Sequence, residues 1–329
     1  MISYASLAAI ERLSSMALWS HFRNLSSTKS KLAESAIWQH QADYYRYHGI
    51  ASWDNRVPYE VSNSVYFSEA HADMLLALLQ DLRNQGDLNP VMVVELGSAH
   101  GKFMFHLLQR LEKILPQHGF SLTDFVFHCC DCSKKMLSFW QSHPQLKPYI
   151  TRGILKSHFF HIDYHAGIES DLPLSTWREK KVVLLANYFF DSVYQNAFVC
   201  EDNQVHALDI LLPDHDHRLA KIDFAIDPQC SGANFYDDPQ KNGILLEHMN
   251  GIVRHFLMPD AAMDITDYFA KHCQQLLLIT SDKGYTGYNY VFYAPNLSLN
   301  YDGALSTTVN FFALSRYFTL GHNGNSLLS

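Results

Sequence analysis

Short apolar runs recur along residues 91–284, and each is followed by a turn or by a helical pattern. The runs cover residues 91–96, 125–130, 157–165, 181–193 and 274–284. Runs of this length that are rich in β-branched residues are typical of strands buried on both faces of a parallel sheet. Helical apolar spacing follows the first run, from Phe103 to Leu115, and a second helix follows Ser133. This alternation predicts an α/β fold with a doubly wound, Rossmann-like sheet.

The segments outside this alternation predict further structure around the same core. Residues 1–88 are expected to form an N-terminal helical region that packs on a domain over 89–329. Its clearest helix covers 67–82, with Ser68 as the predicted N-cap. An insertion at about 196–272 separates the fourth and fifth strands. It is predicted to contain a hairpin that turns at 201–203, a further strand, a helix over 244–258 and another over 261–275. The tail at 307–320 is predicted to form a strand, or a strand followed by a helix.

Composition narrows the class of protein. The 329 residues are 47% hydrophobic and 18% charged, as in globular proteins. A net charge of -8 gives no electrostatic case for nucleic acid or an anionic membrane as partner. Three of the six cysteines, Cys129, Cys130 and Cys132, are too crowded to pair with each other, and they form only half of a zinc site. We therefore expect small buried thiols, no metal and a reducing, cytoplasmic location; over residues 1–31 an N-terminal helix is favoured over an organelle-targeting segment.

The first strand ends in a glycine turn that has a ligand-binding logic. Gly97 allows the chain to turn sharply and a ligand to approach the backbone, and Gly101 allows the next helix to pack close to the sheet. Glu95 stands at the carboxyl edge of the strand, where such sheets bind ligands. Ala99 and His100 break the glycine pattern that receives the pyrophosphate of NAD, and no phosphate-binding GK[ST] follows. The pattern predicts a nucleoside-like ligand without phosphates.

Two further acids follow the next strands. Asp131 comes directly after the second strand, where a carboxylate can accept both ribose hydroxyls. The segment from Glu95 through Ser98 to Gly101, together with Asp131, resembles the class I methyltransferases that use S-adenosyl-L-methionine (SAM). The resemblance implies SAM as cofactor, bound by Glu95, Gly97, Ser98, Ala99, Gly101, Asp131, Cys132 and Asn187, with Asp163 near the adenine amine.

The end of the fourth strand narrows the resemblance to the MidA-like methyltransferases, which include a mitochondrial complex I assembly factor that methylates an arginine. Asn187 and Asp191 match that family's Asn-Glu-x-x-Asp pattern, which is followed by a hairpin, whereas Tyr188 replaces its glutamate. Residues 281–284 and 306–311 resemble two further segments, with Asn310 in place of an arginine, so the likeness covers about 90–317. It implies a protein side chain, arginine among them, or a small molecule as methyl acceptor.

The resemblance also implies roles at this strand end. Asp191 is the candidate for orienting or deprotonating the acceptor, and a helix N-cap or structural hydrogen-bond acceptor is the alternative. Asn187 is expected to bind the cofactor's amino-acid end or the substrate, and Tyr188 is the third candidate catalytic residue. A catalytically weak relative that acts as an assembly or interaction factor stays open, and a nicotinamide-dependent oxidoreductase is disfavoured. Packing is favoured over a substrate-pocket role for the aromatic residues Trp38, Tyr44, Tyr45, Tyr47 and Trp53.

Overall fold

A six-stranded, mostly parallel sheet forms the centre of the computed structural model, which describes residues 29–53, 61, 63–211, 223–231, 234–250, 255–287, 298–300, 304–322 and 324–326. The strands are β1 Ser30–Lys31, β2 Val91–Leu96, β3 Phe125–Asp131, β4 Leu155–Asp163, β5 Gly167–Ser170, β6 Lys181–Asn187, β7 Asn196–Glu201, β8 Gln204–Leu211, β9 Asp223–Ser231, β10 His255–Met258, β11 Gln275–Ser281, β12 Gly284–Tyr285, β13 Ser298–Asn300, β14 Ala304–Ser306 and β15 Val309–Asn310. The helices are α1 Ile37–His48, α2 Val65–Asn84, α3 Lys102–Ile114, α4 Lys134–Ser142, α5 Lys147–Thr151, α6 Pro239–Glu247, α7 Asp260–Ala270 and α8 Phe311–Gly321.

The order of the main sheet is β11-β6-β2-β3-β4-β5, and only the β4–β5 pair is antiparallel. Strand β2 is buried along its whole length because each of its faces packs on a separate core. Val91 and Val93 pack with the apolar side of α3, whereas Met92, Val94 and Leu96 pack in the second core. The predicted α/β, doubly wound sheet and its five parallel strands are confirmed.

A second, antiparallel sheet is built mainly from the segment between β6 and β11. Strands β7 and β8 form the predicted hairpin, whose turn residues Asp202 and Asn203 have φ values of 49° and 60°. Strand β1 pairs with β8 at Asp209 and Ile210, so the N-terminal region is not only helical. The prediction of a helix over 244–258 is wrong for its last part, because residues 255–258 form β10 and pair with β7. Pairing with an existing sheet edge outweighs the weak local preference of a four-residue segment with three apolar side chains.

The N-terminal region contacts both sheets. Helix α2 packs on α3, and its N-cap is Ser64, whose hydroxyl accepts a hydrogen bond from the Phe67 amide. The prediction of Ser68 as N-cap is therefore wrong, since Ser68 is buried one turn inside the helix. Helix α1 is held to β14 by Gln41, whose side chain bonds both the amide and the carbonyl of Leu305. The division into 1–88 and 89–329 stays a prediction, and the expected helix within residues 1–28 lies outside the described residues.

None of the helices in the described part of the chain combines the length and the apolar character that crossing a bilayer requires.

Candidate functional site

The site lies where the sheet topology reverses. From β2 the chain continues to β3 on one side, and from β6 it continues to β11 on the other, so a crevice opens at the carboxyl ends of β2 and β6. Ligands of open α/β sheets bind at such switch points. Two adjoining cavities occupy it: the Asp131 cavity of about 750 Å³ and the Glu95 cavity of about 870 Å³, both measured with their solvent-open parts. The residues that line both are Tyr45, Trp53, Gly97, Tyr188 and Ser192.

The turn after β2 is shaped by left-handed backbone conformations. Gly97 has φ +64°, and a Cβ placed there would lie 2.7 Å from Cδ2 of Phe189. Gly101 has φ +73°, and its Cβ would lie 2.8 Å from Cδ1 of Leu146. Ala99 also has a positive φ, of 48°, and its carbonyl accepts a hydrogen bond from Trp140. Both glycines are therefore needed for conformation and for space, as the sequence predicts.

Glu95 lies at the floor of its cavity and is 5% exposed. Burial raises the pKa of its carboxyl to about 7, and nearby hydroxyl and thiol donors oppose that shift. The thiol of Cys129 approaches Oε2 at 3.8 Å. Ser98 joins β2 to β3, because its hydroxyl donates to the Glu95 carbonyl and accepts from the Cys130 amide. A buried carboxyl with few neutral donors favours a ligand that brings a positive charge.

Asp131, the last residue of β3, lines the neighbouring cavity together with Cys132. The Ser133 amide donates to Oδ1 of Asp131 at 2.9 Å. Burial raises the pKa of Asp131 to about 6, and backbone donors, that amide first among them, oppose the shift. Cys129 and Cys130 are fully buried in the two opposite cores, as expected for small apolar side chains.

Two predicted cofactor residues, Gly101 and Asp163, are absent from both cavity linings that the structure describes, and of these Asp163 ends β4. Its Oδ1 accepts hydrogen bonds from the amides of His165 and Ala166 and so caps the turn after β4. It does not line either cavity, within the linings that the structure describes. The β4 residues that face the Asp131 cavity are Phe160, His161 and Ile162. An acid just past a strand is as well suited to close a turn as to meet a ligand, and the sequence cannot separate the two.

Asn187 and Tyr188 lie at the end of β6. Oδ1 of Asn187 accepts a hydrogen bond from Ser281 at 3.2 Å. Its amide nitrogen is buried, and the His71 ring lies within hydrogen-bonding reach of the Asn187 side chain. Tyr188 has φ +50°, which is a strained conformation for a bulky residue, and it is 46% exposed at the junction of the cavities. Strain held at a ligand crevice is typical of a functional position.

Asp191 is buried and hydrogen-bonded through both carboxylate oxygens. Ser192 donates to Oδ1 at 2.7 Å, and Ser306 of β14 donates to Oδ2 at 2.5 Å. The Asp191 amide donates to Asp282, which follows β11. Burial raises the pKa of Asp191, and burial together with the Asp191 charge raises that of Asp282 well above its ordinary value. Asp191 therefore holds β6, β11 and β14 together at the same place where it faces the Glu95 cavity.

Aromatic side chains of the N-terminal region cover the crevice. Trp38, Tyr45 and Trp53 line the Asp131 cavity, and Trp38 also packs against the core, so the choice between a packing and a pocket role stays a prediction for these three. The rings of Tyr45 and Trp53 stack with centroids 5.7 Å apart. Tyr44 is buried and Tyr47 is exposed, and neither lines a cavity that the structure describes. The sequence spacing of the aromatic residues does not indicate which of them line a cavity, because that depends on where α1 packs.

Two further expectations concern Asn310 and metal binding. Asn310, which stands where the resembled family carries an arginine, is fully buried; its amide nitrogen contacts His248, and its Oδ1 caps α8 through the Ala313 amide. No group of three or more His, Cys, Asp or Glu side chains in the described ranges is arranged to hold a metal ion. Lys283 and Ser306 line the Glu95 cavity, although no individual role is predicted for either from the sequence.

Comparisons with known proteins give a structural likeness without a sequence match. No family model matches the chain, and no curated protein matches it. An uncharacterized protein from Burkholderia thailandensis has a TM-score of 0.48 and 15% identity over 86% of this chain and 75% of its own. A candidate methyltransferase from the same organism, bound to S-adenosyl-homocysteine (SAH), has a TM-score of 0.50 and 12% identity over 86% of this chain and 76% of its own. The second likeness shows that the chain has the fold of that SAH-bound protein.

Proposed function

We propose that this chain is a SAM-dependent methyltransferase of the MidA-like type. One observation carries the proposal: Glu95, Gly97 and Asp131 line two adjoining cavities at the switch point of the sheet, and Asn187 and Asp191 face the same space. The shared fold with an SAH-bound protein supports it. The first strand's glycine turn and the acid after the second strand are the features that a nucleoside ligand requires.

The residues present fit SAM better than NAD. Asp131 can accept ribose hydroxyls, and Gly97 lines both cavities, where a ligand can approach its backbone. The buried amide nitrogen of Asn187 is a donor that a ligand oxygen can accept from. A pyrophosphate would instead lie beside the carboxyl of Glu95, and the two negative charges would repel each other. The Ala99 carbonyl, which accepts a hydrogen bond from Trp140, offers the pyrophosphate no donor.

When bound, SAM supplies an electrophilic methyl group on a sulfonium. The chain contributes binding, alignment and exclusion of water. Asp131 and Glu95 hold the cofactor, while Tyr45 and Trp53 close the crevice from the N-terminal side. Asp191 is positioned to orient the acceptor or take its proton; as a carboxyl with a raised pKa, it is a better proton acceptor than an ordinary aspartate.

The acceptor is proposed as a protein side chain, with arginine one candidate, or a small molecule, in a reducing compartment such as the cytoplasm. A guanidinium stays protonated in proteins, so its methylation requires a carboxylate nearby, and Asp191, which lines the Glu95 cavity, is the candidate for it. The net charge of -8 supports an acceptor other than nucleic acid. Labelled SAM added to an extract, followed by mass spectrometry of the labelled species, would identify the acceptor; a label confined to nucleic acid would contradict the proposal.

Calorimetric titration with SAH and with NAD tests the proposal directly. We expect heat of binding with SAH and none with NAD. Absence of SAH binding at concentrations well above typical affinities would refute the methyltransferase function. Binding of NAD instead would favour an oxidoreductase.

A second function, that of an assembly or interaction factor with little catalysis, is favoured by the bonding of Asp191. Both of its oxygens already accept hydroxyl hydrogen bonds from Ser192 and Ser306, as in a structural role. For this function, Asp191→Asn should leave the biological role intact, because an amide oxygen can replace one of the two acceptors. Loss of the phenotype in a variant that still folds and binds SAH would argue for catalysis.

A further inference from the structure

The two cavities differ in charge. In the Asp131 cavity, Asp131 is the one Asp, Glu, Lys or Arg side chain among the described lining residues, and aromatic and apolar groups make up most of the wall. The Glu95 cavity contains two acids, Glu95 and Asp191, and one cation, Lys283. A wall that combines an acid with a cation is suited to a ligand that carries both charges itself.

Lys283 is held in this wall by its own backbone. It follows Asp282 directly after β11, and its amide donates to Oδ1 of Asp282 at 2.8 Å. Its carbonyl accepts from the amide of Val309 at 2.9 Å, next to the short parallel pairing of β12 with β15. The position of the lysine in the wall is therefore set by the end of the sheet and does not depend on a ligand.

Glu95 and Lys283 are perturbed by burial in opposite senses. Burial raises the pKa of Glu95 to about 7. Burial lowers the pKa of Lys283, and the charges of Asp191 and Asp282 oppose that shift. Each charged form therefore lacks part of the stabilisation that water would give. A ligand ammonium near Glu95 and a ligand carboxylate near Lys283 would restore it for both.

We propose that Lys283 binds the carboxylate of the cofactor's α-amino-acid moiety in the Glu95 cavity. The buried amide nitrogen of Asn187 is a second donor in the same wall. This assignment rests on the proposed function. It gives Lys283 a specificity role: the site distinguishes ligands that carry an amino-acid group from nucleosides that lack one.

Calorimetry with matched ligands tests the role of Lys283. SAH has the amino-acid group, 5′-methylthioadenosine lacks it, and decarboxylated SAH lacks the carboxylate alone. For Lys283→Met we expect roughly a 10-fold or larger loss of SAH affinity, about 1.4 kcal/mol or more. The affinity for 5′-methylthioadenosine should change by less than about twofold, since that ligand has no group for the lysine to bind. Lys283→Arg keeps the charge and should retain SAH affinity within about threefold.

The outcomes separate this inference from the proposed function. If the wild-type protein binds neither SAH nor 5′-methylthioadenosine, the methyltransferase function fails. If SAH binds and Lys283→Met leaves the ratio of the two affinities unchanged, the assignment of Lys283 is overturned while the function stands. The wild-type protein gives a test that no folding defect can obscure: decarboxylated SAH should bind roughly 10-fold or more weakly than SAH, and equal affinities would overturn the proposal.

Discussion

Gly97→Ala is the substitution whose effect the structure defines most sharply. At φ +64°, an alanine would adopt the left-handed conformation, which costs roughly 1–2 kcal/mol. Its Cβ would also lie 2.7 Å from Cδ2 and 3.4 Å from Cε2 of Phe189, so that ring must move. Forcing a packed side chain aside typically costs about 1–3 kcal/mol. We therefore expect the free energy of unfolding to fall by roughly 2–5 kcal/mol.

The chain offers a matched control for the backbone part of this cost. Gly153 has φ +73°, and a Cβ built on it would meet nothing within 4 Å. Gly153→Ala should therefore lose only the roughly 1–2 kcal/mol of left-handed strain. Urea unfolding of both variants measures the difference, provided that the two denaturant slopes agree. Equal losses in the two variants would refute the contact with Phe189 as a source of instability.

The same pair of variants separates stability from ligand binding. Phe189 lines the Asp131 cavity, so a ring displaced by an alanine at 97 changes the space for a ligand. SAH affinity, measured on the folded protein, should fall in Gly97→Ala and stay unchanged in Gly153→Ala. If Phe189→Leu added to Gly97→Ala restores neither stability nor affinity, the clash is not the cause.

Two further predictions concern the acids of the site. Asp131→Ala should weaken SAH binding roughly 10-fold or more, the value of a charge-assisted hydrogen bond, while the fold remains. Asp163→Ala removes only a turn cap and should leave the SAH affinity measured by calorimetry unchanged. Equal losses of affinity in the two variants would mean that the ribose does not lie at Asp131. The pKa of Glu95 is about 7 in the folded protein and 4.5 in its ordinary state, so between these values the folded state keeps a proton that the unfolded chain releases. The free energy of unfolding therefore falls as pH rises from about 4.5 to about 7. Glu95→Gln should remove about 2 kcal/mol of that decline, measured by urea unfolding between pH 5 and pH 7.5, and parallel pH profiles of the two proteins would contradict the cause.

The predictability of the fold differs between its two sheets. The strands of the main sheet follow from local pattern, because a strand buried on both faces must be apolar along its length, as β2 is. In the second sheet, the hairpin of β7 and β8 could also be predicted from its turn, whereas β10 could not. A four-residue segment with three apolar side chains fits a helix or a strand equally well, and pairing with the edge of β7 selects the strand.

The site was predictable to a similar, partial extent. Gly97 and Asp131 were predicted from their places at strand ends and both line the crevice, since parallel strands bring their carboxyl ends to one edge. Asp163 has the same kind of place, yet its carboxylate is used by the turn that follows it. The aromatic cover from α1 and the cation at position 283 are both far from the glycine turn in sequence, and neither has a local pattern that marks it.

The sequence by itself determined the alternation of strands and helices in the main sheet, the left-handed glycine turn after β2 and the acids at successive strand ends. These features depend on backbone conformation and on side-chain alternation, which neighbouring residues settle. The tertiary structure alone decided which polar groups share a cavity, that Asp191 is held by Ser192 and Ser306, and that Lys283 faces the same space as Glu95. Those relations join residues as many as 188 positions apart, from Glu95 to Lys283, and packing of the whole chain fixes them because no local interaction connects them.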